Sequence, residues 1–310
     1  MTAETLLIET SEAGLRIDKL LALHFPERSR SYFQFLLAEG AVRINGQRPK
    51  KRQLVEAGDE VELFFLLTPE LSATPEPIPL DILWEDDYLL AVNKPAGMVV
   101  HPAVGHPTGT FVNALMHHLG ARADLLETSQ LRPGIVHRLD KETSGVLLAA
   151  KQASAHAKLI ELFASRSMQK SYLAITYGKP KEGWFEAPIG RHPKERTQMC
   201  IDHEKGRPAE SHIEILDEAT SYCLVRVRPK SGRTHQIRVH LAALGAPVVG
   251  DLLYGNLKIN QRLGFSGQLL HAHELCFTHP CTGMQLSLLA PLPLYLIDAL
   301  AALKLQKLNF

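Results

Sequence analysis

The chain has 310 residues, enough for about two domains with cores of their own, which excludes a single small module held by disulfides or metal. Apolar residues make up 45% and charged residues 22%, near globular averages, and 21 Gly with 19 Pro exclude a collagen-like or low-complexity polymer. With 34 basic and 33 acidic side chains the net charge is +1, so no global basic excess announces nucleic acid, and any such case rests on where the charges sit.

The N-terminus carries Glu4, Glu9 and Glu12 and lacks the basic and apolar regions of a signal peptide. Ile17, Leu20, Leu21 and Phe25 then recur at helical spacing, and Tyr32, Phe33, Leu36 and Leu37 repeat it after the break at Pro26. Gly40 ends the second helix, residues 41–44 read as a short strand, Asn45-Gly46 is a hairpin turn, and residues 59–64 alternate as a strand. Residues 1–67 are thus expected to form a helix-helix-sheet domain. Four prolines between 68 and 79 favour an extended linker over residues 68–80.

The larger unit, residues 81–310, opens with two apolar runs around the acidic turn 85–87, a hairpin pattern, followed by a turn at Asn93-Lys94-Pro95-Ala96-Gly97. Residues 145–150 form a buried-strand pattern, Ser154 to about Ser165 a helix, 172–177 and 222–227 strands, and a further helix opens near Thr234. Strands outnumber helices and alternate with them irregularly, which predicts an α+β fold with a mostly antiparallel mixed sheet flanked by helices and loops. The apolar tail 286–303 is broken by Pro291, Pro293 and Asp298 and reads as strand, turn and amphipathic helix, with no membrane span. Cys200, Cys223, Cys276 and Cys281 are too sparse for a secreted disulfide scaffold, so a reducing, cytoplasmic location is expected.

Charge is uneven along the chain. Arg16, Lys19, Arg28, Arg30, Arg43, Arg48, Lys50, Lys51 and Arg52 face only Asp18, Glu27 and Glu39 within residues 16–52. On charge alone this is either a solvated mixed surface or a field suited to phosphate backbones. The runs Leu-Arg-Ile-Asp-Lys-Leu-Leu (15–21), Ser-Arg-Ser (29–31), Gly-Ala-Val-Arg-Ile-Asn-Gly (40–46) and Val-x-x-Gly-Asp-x-Val (55–61) resemble the S-four-like RNA-binding domain. That resemblance implies a docking role on structured RNA for Arg16, Lys19, Arg28 and Arg30, with Lys50 to Arg52 in support.

Two clusters carry chemistry in the larger unit. In Gly134-Ile135-Val136-His137-Arg138-Leu139-Asp140-Lys141-Glu142-Thr143-Ser144-Gly145 an apolar pair delivers His, Arg and Asp into a Thr-Ser-Gly segment, placing Asp140 on a loop between two buried strands. An Asp before Thr and Ser also caps turns, so spacing alone leaves its role open. Residues 226–240 hold five Arg and Lys side chains and no acid. Arg238 adjoins Ile237 on a helix with one buried face, and a guanidinium at that boundary calls for a carboxylate, for which Asp140 is a candidate.

Residues 134–145 closely resemble the defining motif of the RNA pseudouridine synthases of the large-subunit ribosomal RNA type. Residues 93–102, 109–115, 170–174, 231–240, 250–255 and 270–272 match that family in its order. The resemblance implies isomerisation of specific uridines in RNA, most of all large-subunit ribosomal RNA, free or in an assembling particle, by a monomeric enzyme. It implies Asp140 as the essential carboxylate, Tyr172 as the aromatic that stacks on the target base, Arg238 as the partner that keeps Asp140 ionised, and Arg138 as an aid to extruding the nucleotide. His137, Thr143, Arg233 and His235 are expected beside the substrate. Moving a base from nitrogen to carbon attachment involves no net redox change and no added water, so no cofactor is demanded.

Other readings compete with this one. His271, His273, Cys276, His279 and Cys281 invite zinc, but His271, His273 and His279 share one strand parity and Cys276 the other, which argues against a metal. Asp140 and Glu142 could be a glycosidase-like carboxylate pair, a reading that leaves Arg238 and Tyr172 unexplained. A non-catalytic RNA-binding assembly factor is the remaining alternative.

Overall fold

The computed structural model describes residues 3–26, 30–50, 52–66, 74–103, 106–126, 133–195 and 197–306. The chain divides into two compact units, Met1–Ser72 and Ala73–Phe310.

In the first unit β1 (Ala3–Leu7) precedes α1 (Ile17–His24), α2 (Arg30–Glu39), β2 (Val42–Ile44) and β3 (Glu60–Phe64), with β3 central and antiparallel to both other strands. The expected helix-helix-sheet order is present, preceded by the strand β1, which the sequence pattern did not reveal. The apolar stripes read from the sequence form the core: Ile17, Leu20 and Leu21 of α1 meet Phe33, Leu36 and Leu37 of α2 over Val42, Val61 and Leu63.

The second unit contains β4 (Ile82–Glu85), β5 (Leu89–Lys94), α3 (Phe111–Leu119), β6 (Ser144–Ala150), α4 (Ala153–Ala164), β7 (Gln169–Tyr177), β8 (Gly183–Glu186), β9 (Ile189–Arg191), β10 (Met199–Ile201), β11 (Glu210–Ala219), β12 (Tyr222–Pro229), α5 (Gln236–Ala243), α6 (Leu257–Leu263), β13 (Leu270–Thr278), β14 (Gln285–Leu289) and α7 (Leu294–Ala302). Nine strands form one sheet in the order β4-β5-β6-β13-β7-β12-β11-β8, with β14 added along β13, while β9 and β10 make a separate ribbon. The β6–β13 pair is parallel and the other pairs of the sheet are antiparallel. Every residue of β6 is buried, because α4 covers one face of β5 and β6 and α3 the other. Farther along, α5 packs on the face bearing Val225 and Val227, and α7 on the face bearing Ile175 and Leu224.

Gly145 decides where β6 enters the sheet. Its φ is +110°, and a Cβ there would lie 2.1 Å from the Ala272 carbonyl oxygen, so only glycine admits the close parallel junction with β13. The expected strand before Asp140 is replaced by one bridge, Ile135 to Ala149, and Asp140 therefore lies on a loop leading into β6 instead of between two strands. The physical reason is a side-chain substitution: the Leu148 N–H donates to His137 Nε2 at 2.9 Å, where a neighbouring strand would have offered a carbonyl. The helix expected to open at Thr234 begins at Gln236, because His235 is left-handed at φ 56°. Of the Pro-rich segment, residues 68–73 lie outside the described residues; from Thr74 the chain is tied to α3, with the Asn113 side chain donating to the Thr74 carbonyl and the Glu76 N–H to that of Asn113.

Candidate active site

A cleft of about 390 Å³ opens between the 136–143 loop, the end of α4, β7 and the loop leading into α5. Its floor is built by tertiary packing. Leu139 is buried against Val92, Leu147 and Phe111, which turns the next residue, Asp140, toward the cleft. The Thr143 N–H donates to the Asp140 carbonyl at 3.1 Å, and the Thr143 hydroxyl accepts from Gln268 Nε2 at 2.7 Å, closing the turn.

Arg238 reaches this turn from the first turn of α5. Its Nη1 donates to Asp140 Oδ2 at 2.9 Å, across 98 residues of sequence. The Asp140 side chain keeps 21% of its surface exposed while Arg238 keeps 6%, so the carboxylate faces the cleft and the guanidinium lies behind it. No described residue hydrogen-bonds Asp140 Oδ1, which leaves that oxygen available to a ligand.

Sequence reasoning missed what holds Arg238. Its Nε and Nη2 donate to the fully buried Asp251 at 2.7 and 2.9 Å, a bidentate pair, and its guanidinium lies 5.0 Å from the Tyr254 ring centre. Asp251 is itself fixed by N–H donation from Leu253 and Tyr254. Burial is the largest influence on Arg238 and lowers its basicity, but the hydrogen bonds and charges of Asp251 and Asp140 reverse this, leaving its pKa raised. The run Gly250-Asp251-x-x-Tyr254-Gly255 was visible in the sequence, but nothing in it announced this contact. Gly250 shows why: its φ is +80°, and a Cβ would lie 2.0 Å from the Gly267 carbonyl, so the placement of Asp251 depends on a remote backbone.

His235 stands at the cleft edge. Its Nδ1 is 2.7 Å from the Tyr254 hydroxyl, which accepts the Met199 N–H, and its Nε2 is 3.9 Å from Asp140 Oδ2. Burial lowers its pKa below the ordinary imidazole value despite the opposing charge of Asp140. Tyr172 lines the same cleft from β7, in register with Val227 on one side and Ala272 on the other. Burial, and secondarily the charge of Asp140, push its phenol well above the usual range, so it is protonated at neutral pH.

The remaining expected residues divide. Arg138 is exposed on the cleft wall with no hydrogen bond to a described residue, and Arg233 donates from Nε to the Pro208 carbonyl at 3.2 Å. His137 lines the cleft but is committed to Leu148 and stacked on Phe163 at 4.7 Å; burial depresses it to about 3, so it is neutral. Thr143 likewise fixes the loop through Gln268. Lys94 was also missed: fully buried, it donates to the carbonyls of Pro95, Met98 and Lys141 at 2.7, 3.0 and 3.1 Å, and burial lowers its pKa to about 8.

In the first unit Arg16 gives Asp18 two hydrogen bonds at 3.0 Å and Arg30 gives it one at 2.9 Å, so both guanidiniums are anchored on a buried carboxylate while remaining partly exposed. Lys19, Lys50 and Arg52 are exposed; Arg28 and Lys51 lie outside the described residues. Among the described residues no group of three or more His, Cys, Asp or Glu could hold a metal ion. His271 Nε2 and His273 Nδ1 both bond the Ala290 carbonyl. No described helix is long and apolar enough to cross a membrane.

Comparison with known proteins identifies the family. The family profile described as RNA pseudouridylate synthase matches residues 88–243, and that of the S4 domain matches residues 15–61. The chain is 38% identical over 309 residues to ribosomal large subunit pseudouridine synthase D of Xanthomonas campestris pv. campestris, covering 96% of this chain and 92% of that protein. It is 41% identical over 280 residues to the uncharacterized RNA pseudouridine synthase YlyB of Bacillus subtilis, covering 90% of each. Among solved structures, human RNA pseudouridylate synthase domain containing 4 superposes with a TM-score of 0.56 at 28% identity, over 74% of this chain and 94% of that one.

Proposed function

This chain belongs to the RNA pseudouridylate synthase family and carries an S4 domain, and from that premise we propose that it isomerises specific uridines of large-subunit ribosomal RNA with Asp140 as the essential carboxylate. The protein is an enzyme, an isomerase acting on RNA. Its reaction breaks the bond between the base nitrogen and the anomeric carbon, turns the ring, joins a ring carbon to the same sugar carbon, and moves the proton from that ring carbon to the vacated nitrogen. Atoms and electrons balance within the nucleotide.

One observation supports this reading above the rest: Asp140 meets a guanidinium that Asp251 holds from behind, at the floor of a cleft also lined by Tyr172. Arg238 engages Oδ2 and leaves Oδ1 for the nucleotide. Tyr172 offers a flat face for the extruded base, whose unstacking costs a few kcal/mol, repaid by stacking and edge hydrogen bonds. Arg138 fills the space the base leaves, and His235 and Arg233 contact the nucleotide. The cleft walls restrict water, which would otherwise compete as hydrolysis once the base is detached.

The S4 domain docks structured RNA through Arg16, Lys19, Arg28 and Arg30, the enzyme works as a monomer in the cytoplasm, and its substrate is ribosomal RNA, free or in an assembling particle. Mapping pseudouridines in ribosomal RNA from cells with and without the protein tests the substrate: one or a few large-subunit positions should lose the modification. An unchanged map would refute it. Asp140→Asn separates enzyme from binder, since it should retain RNA and form no pseudouridine.

A further inference from the structure

In the cleft that holds Asp140 and Tyr172 stands Lys170, a cation that the chemistry above does not use, and near it Arg233, to which only a general contact with the nucleotide has been given. Lys170 precedes Tyr172 by two residues on β7, so the two side chains leave the same face of the strand, with backbone origins about 7 Å apart. Both line the cleft. The Lys170 ammonium donates to the Ser231 carbonyl at 3.0 Å and pairs with no carboxylate among the described residues. Arg233 lines the same cleft from the loop before α5, while Arg166, left-handed at φ 60° just beyond the end of α4, is exposed outside the cleft lining and reaches Glu210 at 3.4 Å.

The arrangement is electrostatically unfavourable in the free protein. Burial, then Arg166 and Arg233, lower the Lys170 pKa to about 8. Arg233 is lowered in turn by burial, Arg207 and Arg166. Glu210 is the carboxylate bound into this group, and it is divided between Arg166 at 3.4 Å and Lys230 at 2.9 Å. Like charges gathered in the cleft and at its rim oppose folding unless an anion joins them.

The site is also rigid. Gln236 Oε1 accepts the Ser231 hydroxyl at 2.7 Å and the Arg233 N–H at 3.0 Å, while Gln236 Nε2 donates to the Glu210 carbonyl and the Ser211 hydroxyl. The loop that bears Arg233 and faces Lys170 is therefore fixed before any ligand arrives, which lowers the cost of binding.

We propose that Lys170, Arg166 and Arg233 form a cradle for a phosphodiester of the RNA strand, next to the nucleotide whose base lies on Tyr172. Two guanidinium forks and a point charge suit the several oxygens of a phosphodiester better than they suit one carboxylate. The inference rests on the reading of this cleft as an RNA-modifying site and adds the path of the backbone through it.

The test uses the full-length protein and a fluorescent oligouridylate, with affinity measured across a range of salt concentrations. Lys170→Met should weaken binding about three- to tenfold at low salt and reduce the slope of log K against log salt by about 0.7, the single-strand value for one lost phosphate contact. Lys170→Arg should keep the slope. Because the lysine is unfavourable in the free protein, Lys170→Met should melt at or above the wild-type temperature. An unchanged slope overturns the cradle, and so does a lowered melting temperature, which would make Lys170 a structural residue. Wild-type protein that forms no pseudouridine in ribosomal RNA would sink the functional reading, whereas an active wild type with a salt-indifferent Lys170→Met variant sinks the cradle alone.

Discussion

Asp251 receives both the Nε and Nη2 hydrogens of Arg238, at 2.7 and 2.9 Å, and this leaves Nη1 as the group directed at Asp140. Orientation of the carboxylate proposed as catalytic thus depends on a second carboxylate that never meets solvent. Asp251→Asn replaces one accepting oxygen with an amide that repels the guanidinium. A shift of Arg238 by about 1 Å is expected to cost about a hundredfold in turnover. RNA affinity should change little, since Asp251 lies behind the cleft wall. Single-turnover isomerisation beside equilibrium RNA binding checks this, and wild-type turnover in Asp251→Asn would show that Arg238 needs no support. Asp251→Ala, which strands a buried guanidinium, should also destabilise the fold by about 3–5 kcal/mol.

Tyr172→Leu keeps an apolar side chain in the cleft but removes the aromatic plane. If the extruded base stacks there, about 1–3 kcal/mol is lost, or roughly ten- to a hundredfold in kcat/KM. The phenol stays protonated because burial and Asp140 oppose its ionisation. The wild-type rate should therefore show no tyrosine inflection between about pH 6 and 9. A steady-state pH series on wild type and variant measures both.

How much of this was legible in the sequence follows the range of the interactions. The stripes of α1 and α2, the strand read at 145–150 with a helix after it, and the broken tail at β14 and α7 are local periodicities, and the structure shows each of these elements, β6 and α4 one residue from the bounds read. The pairing of Asp140 with Arg238 spans 98 residues; residue chemistry alone offers Asp140 as one candidate partner, and the match of two motifs to one family singles it out. Asp251 and Lys94 escaped because a lone acid or lysine ordinarily reads as surface. Each is buried by a backbone arrangement with no sequence signature: the Gly250 approach to Gly267 for one, three convergent carbonyls for the other. His137 and Thr143 lie where the motif predicts, but their polar atoms are turned to Leu148 and Gln268. A motif fixes position along the chain and leaves direction to packing.

Lys170 supplies a pH test of stability. Its pKa falls from the ordinary lysine value of 10.5 to about 8 in the fold, through burial first and the neighbouring arginines second. Below pH 8 both folded and unfolded chains carry the proton, and the buried charge is a constant penalty. Between about pH 8 and 10.5 the unfolded chain binds more proton than the folded one, so this group's contribution becomes more favourable as pH rises. The unfolding free energy of wild type minus that of Lys170→Met should thus increase across that window, by at most about 3 kcal/mol before solvent screening. Urea titrations of both proteins at pH 7, 9 and 10 would expose a flat difference if the ammonium were unperturbed.

Asp18 makes the opposite prediction in the first unit. Burial alone would raise its carboxyl, but hydrogen bonds from Arg30, Gln34 and Arg16 more than offset it and bring the pKa from 3.8 to about 2. The resulting stability, about 2 kcal/mol, is present above pH 4 and fades as pH falls toward 2. Asp18→Asn should lose it at neutral pH. Both tryptophans lie in the second unit, so amide hydrogen exchange in α1 is the appropriate probe, with about thirtyfold faster exchange expected in the variant. The same change releases Arg16 and Arg30 from their shared anchor. If those guanidiniums meet RNA in a fixed direction, affinity for ribosomal RNA should drop even though net positive charge increases. Tighter binding by Asp18→Asn would mean that charge alone, without its orientation, governs docking.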